Sequence, residues 1–191
     1  MHRIFLGLAV TSGLLLVASF VLGLEAASEV RGLRHTWHDI HFLISLVTVL
    51  TGLLVHSIVF TYFLGTGRWV KEVVRVYRLP EWVYAQAVKN KRKAFPFELA
   101  SMALICLTAW MGAGSDARGW PALWHLGMAS VMIAFNLGAF AAEYAAIVAQ
   151  ARLLLEVKDE ADRLREAQGT GEAVSATGTA VGDDGPRIDP T

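Results

Sequence analysis

The chain has 191 residues, of which hydrophobic types make up 54% and charged types 18%, and its net charge is zero. That composition points away from an ordinary soluble domain and toward an integral membrane protein. One cysteine, Cys106 in the apolar run LASMALICLTAWMG, excludes an internal disulfide, a zinc finger, an iron–sulfur cluster and CxxC redox chemistry, so any cofactor must be held by His, Met, Asp, Glu or Asn.

Four segments are long and apolar enough to cross a bilayer, running approximately Ile4 to Leu24, Asp39 to Gly65, Phe97 to Gly114 and Pro121 to Val148, against about 20 residues of helix per crossing. The first is preceded by HR and followed by AAS, as a secretory signal is. Its apolar part runs to about 21 residues against about 7 to 15 for a signal, so a retained helix is expected.

The second connection is the basic one, carrying Arg68, Lys71, Arg75, Arg78, Lys89, Lys91, Arg92 and Lys93, whereas the other two carry only Arg31, Arg34 and Arg118. The positive-inside rule therefore places this loop and both termini on the cytoplasmic side of the cytoplasmic membrane. Trp37, Trp110, Trp120 and Trp124 then gather at the outer interface, and Tyr62, Trp69, Tyr77, Trp82 and Tyr84 at the inner one.

Within the basic loop, Trp69, Val70, Val73, Val74 and Tyr77 share one helical side and Lys71, Arg75 and Arg78 largely another. Such a helix suits a bed of anionic headgroups, the plainer reading being a positive-inside loop. Pro80 is expected to break it, Pro96 to open the third span and Pro121 the fourth, while GAGSDARGW reads as a turn. Residues 149–168 continue the fourth helix beyond the membrane, which completes a transmembrane domain over 1–168. Residues 169–191 lack any core-forming pattern and read as a disordered tail. The expected fold is thus an all-α four-transmembrane-helix bundle with a cytoplasmic amphipathic loop helix.

Two polar stripes cross these helices. In the second, His41, Ser45, Thr48, Gly52 and His56 lie on one face; in the fourth, His125, Met132, Asn136, Glu143 and Gln150 lie on another. Ionisable groups in hydrocarbon cost at least a few kcal/mol unless neutral, paired or ligated, so both stripes are expected to face inward, toward each other. His41 and His125 then share an outer depth, with His35 and His38 close by. His56, Asn136, Glu143 and Glu98 share the inner half.

Imidazoles from two helices at matched depth suit axial ligation of a haem b, and the pattern resembles that of bis-histidine membrane cytochromes. It departs from the diheme quinol-oxidising type, because His56 meets Asn136, Phe140 and Glu143 on the fourth helix rather than a histidine.

The leading expectation is a small membrane redox or electron-transfer subunit with haem b between His41 and His125, and a proton path or quinone site at His56 and Glu143. A metal permease or metal-handling protein is the alternative. It would bind copper, zinc or iron through His35, His38, His41 and His125, whose HxxHxxH rings converge only if the segment before Asp39 is not a continuous helix. A structural or assembly subunit glued by its polar stripes is the third reading. The lipid bilayer, partner subunits or further copies of the chain, and a quinone are the expected partners. Nucleic acid is not expected, since membrane proximity accounts for the basic loop.

Overall fold

A computed structural model describes residues 2–28 and 34–179, with the side chains of 3–27 and 37–168. Four helices follow in order: α1 (His2–Ser28), α2 (Arg34–Tyr77), α3 (Glu81–Arg118) and α4 (Ala122–Thr179). All four are long and apolar enough to cross a membrane. Helix α4 runs on through 169–179, the first part of the expected disordered tail, and the remainder, 180–191, lies outside the described residues.

Steps of three and four residues build the seams. In α3 the buried positions Asn90, Ala94, Glu98, Ser101, Ile105 and Thr108 follow that rhythm, as do Asn136, Ala139, Glu143, Ala146, Gln150 and Leu153 in α4. This is the spacing of left-handed bundles, with knobs of one helix set into holes of its neighbour. The contacts alternate antiparallel: α1 packs on α2 and α4, α3 packs on the same two, and α2 meets α4 across the middle running the same way. Leu43, Leu46, Val47, Leu50 and Leu54 of α2 face outward and are exposed, the arrangement a lipid-facing side requires.

The helices run well past the apolar spans. The 44 residues of α2 make a rod of about 66 Å at about 1.5 Å per residue, twice the roughly 30 Å of a hydrocarbon layer. Beyond the reach of α1, three helices continue around a second core of Val70, Val83, Ala87, Leu153 and Val157. The apolar side of the basic segment therefore packs against α4, and the segment is a continuation of α2 rather than a separate helix.

Helix α3 likewise begins at Glu81, and Pro96 lies inside it. Lys, Ala and Gln in this stretch favour helix, and Val83 and Ala87 anchor it in the second core. The α2–α3 turn is made by Arg78 at φ 53, with Leu79 N–H donating to the Val74 carbonyl at 3.0 Å, and Pro80 standing as the cap of α3. At the other end α3 absorbs most of GAGSDARGW and stops at Gly119, whose φ is 67. The fourth helix starts at Ala122, directly after Pro121.

Candidate functional site

The inner group assembles where α2, α3 and α4 face one another. His56, Asn136, Glu143 and Glu98 are all fully buried. Asn136 donates from Nδ2 to its own helix at the Met132 carbonyl, 2.8 Å away, which turns its Oδ1 toward α2. There it accepts from His56 Nε2 at 2.9 Å. The other ring nitrogen, Nδ1, lies 2.7 Å from Glu143 Oε1. Phe140 stacks on the imidazole with ring centroids 5.3 Å apart and planes 9° from parallel.

This geometry constrains the protons. Because Nε2 must carry a hydrogen to bond Asn136, a second hydrogen is shared between Nδ1 and Oε1. With that hydrogen on carbon-bound oxygen, the pair is neutral imidazole and carboxylic acid; with it on nitrogen, the pair is imidazolium and carboxylate. Both forms have no net charge, which is what a low-dielectric interior requires. The pair can therefore move a proton internally without creating an isolated buried charge.

Hydrogen-bonding capacity is left over around it. Among the described residues, both Glu98 oxygens, Glu143 Oε2, Ser101 Oγ and Ser12 Oγ are buried without a partner, and Glu98 stands within electrostatic range of Glu143. Toward the α2–α3 turn the polar column resumes: Gln86 donates to Asn90, Asn90 to Gln150, and Gln150 to Thr66, at 3.2, 3.1 and 3.3 Å. Of these, Ser12, Gln86, Asn90 and Ser101 escape a reading based on α2 and α4 alone. The α3 steps Asn90, Ala94, Glu98, Ser101 carry the signal that finds the last two.

The outer group is arranged differently. His41 faces α1, not α4: its Nδ1 lies 3.0 Å from the Ser19 carbonyl, with the Ser45 hydroxyl 3.4 Å away. Its ring rests on Gly23, where an added Cβ would meet ring atoms at 2.9 to 3.4 Å. Ser45 and Thr48 also turn to α1, through Ser19 Oγ at 2.6 Å and the Leu15 carbonyl at 3.3 Å. The α2 stripe thus serves two neighbours, α1 above and α4 below, because α1 occupies the side that the outer half presents.

His125 rests on Gly112 of α3, again within 3.4 Å of an added Cβ, and its buried Nδ1 has no partner among the described residues. His38 is exposed and bonds Asp116 at 3.2 Å. The side chain of His35 lies outside the described residues. Since α2 is continuous from Arg34, backbone positions 35, 38 and 41 are spread around the helix and do not lie on one line. Among the described residues no three His, Cys, Asp or Glu side chains form a group able to hold a metal ion.

His41 nevertheless lies within electrostatic range of His125, His38 and Asp116. Donation from its Nδ1–H to a backbone carbonyl fixes the ring and leaves Nε2 as the ligating nitrogen, the arrangement found behind metal-bound histidines. His41, turned to α1, and His125, resting on α3, thus present two imidazoles on separate helices. Compared with known proteins, the chain matches no family model, no curated protein and no solved structure.

Proposed function

We propose that this chain is a proton-handling subunit of a membrane electron-transfer complex. The observation that carries the reading is the buried His56–Glu143 pair, in which both ring nitrogens face oxygens and one hydrogen is shared across 2.7 Å. Glu98, a second buried carboxyl group within electrostatic range of Glu143, is the next station for that proton, and the Gln86–Asn90–Gln150–Thr66 chain marks the inner end from which protons enter. Histidine and carboxylate suit this task because each can hold or release a proton within a hydrogen-bonded pair.

Infrared difference spectroscopy of the reconstituted chain across a pH step tests this. A carboxylic-acid carbonyl band should respond to the step and disappear in Glu143→Gln; a silent spectrum, or one untouched by that substitution, would remove the reading.

The redox part is a further step of this proposal, in which His41 of α2 and His125 of α4 would be the two ligands of a single haem b. A bound haem would supply one-electron transfer, and the chain would contribute the two ring nitrogens. An optical spectrum of purified protein, oxidised and reduced, should show a Soret band and a reduced α-band that are lost in His41→Ala and in His125→Ala. A featureless spectrum after expression with ample haem would limit the function to proton transfer.

A further inference from the structure

Helices α3 and α4 leave between them a groove of about 410 Å³ lined by Arg92, Lys93, Pro96, Phe97 and an alanine row that includes Ala145 and Ala149. The row, Ala142 to Ala149, extends about 10 Å along α4 at about 1.5 Å per residue, most of the depth of one leaflet in a hydrocarbon layer of about 30 Å. No side chain there reaches past Cβ, so the α4 wall is smooth and apolar. The end nearest the α2–α3 turn is different.

There Arg92 and Lys93 are exposed, and neither forms a salt bridge among the described residues. Pro96 adds an acceptor to the two cations. Lacking an N–H, it gives no helical hydrogen bond to the Arg92 carbonyl one turn earlier, and that oxygen keeps its capacity at the same rim. A smooth apolar channel with two cations and a carbonyl at one end matches one kind of molecule in a membrane.

We infer that this groove binds an anionic diacyl phospholipid. One acyl chain lies along the alanine row and Phe97, the phosphate sits on Arg92 and Lys93, and a headgroup hydroxyl donates to the Arg92 carbonyl. Small residues also admit a neighbouring helix, so a second copy of this chain is the rival occupant. Charge decides against it: two copies related by a twofold axis in one membrane would set each Arg92–Lys93 pair near its own counterpart. Lipid phosphate instead gives these cations an opposite charge at the depth where they stand.

The test uses full-length protein in phosphatidylcholine vesicles and compares spin-labelled phosphatidylglycerol with spin-labelled phosphatidylcholine. Wild-type protein should hold the anionic label in the motionally restricted fraction in clear preference. R92Q/K93Q should lower that preference by up to about thirtyfold, on the scale of two basic side chains near a headgroup at about 1 kcal/mol each. R68Q/K71Q, which neutralises two exposed cations outside the groove, should keep it, and A145F should expel the anionic label by filling the channel. Preference unchanged in R92Q/K93Q, or label retained in A145F, would overturn the inference. So would A149C, in a Cys106→Ala background, forming a disulfide between copies in the membrane.

Discussion

His56, Asn136 and Glu143 hold one another by hydrogen bonds, and each partner removed has a different cost. Asn136→Leu leaves the Nε2 hydrogen facing apolar side chains, which costs about 1 to 3 kcal/mol. Glu143→Leu breaks a fully buried pair and should cost about 3 to 5 kcal/mol. Replacing both partners and the imidazole by apolar residues of similar volume is often neutral or better in buried ion pairs, because no polar group is left stranded. The triple variant His56→Leu, Asn136→Leu, Glu143→Leu should therefore recover most of the stability lost in the single variants, as read by unfolding in mixed micelles. Such a recovery would mean that these residues are kept for proton chemistry and not for holding helices together. A triple variant as unstable as the summed single changes would instead make the cluster the glue of the bundle.

Helix boundaries illustrate what patterning does and does not carry. The seven-residue spacing of Asn136, Glu143 and Gln150 puts them on one face whatever surrounds the helix, and that face is buried. The same argument puts His41 and His56 on one side of α2. It cannot say that α1 takes the outer half of that side, since a stripe fixes a direction on its own helix and not the identity of the neighbour. Hydropathy similarly marks where lipid is, not where helix ends, so the polar continuation of α2 and the first turns of α3 are invisible to it. Pro96 misleads for the same reason: it coincides with the start of the apolar run, inside a helix that Pro80 caps. The true stop of α2 is Arg78, held at φ 53, where a Cβ crowds the backbone. Glycine relieves that crowding at a helix C-terminus, and Arg78→Gly should stabilise the protein by about 1 kcal/mol. Thermal unfolding checks it, and a lower midpoint would show that the arginine side chain matters more at this corner than its backbone strain.

At the scale of the whole molecule, alternating helix directions place the start of α1 and the end of α4 at the end that carries the basic residues of α2 and α3, and His38, Asp116 and Trp120 at the other. The described part of α4 continues this end outward, where Val70, Leu153 and Val157 form a core without any contribution from α1. The lysine and arginine excess determines which way such a bundle is inserted, because cations resist transfer across the membrane while the apolar helices cross it freely. Cysteine labelling in a Cys106→Ala background reads this directly. In intact cells an impermeant thiol reagent should modify Ser115→Cys but not Lys71→Cys, and in inverted vesicles the pattern should reverse. The reverse pattern in intact cells would turn the bundle over. His41 and His125 would then stand on the cytoplasmic side, and proton entry from the Gln86–Asn90 end would draw on the outer solution, so that the direction of proton movement follows from insertion while the chemistry of the His56–Glu143 pair stays the same.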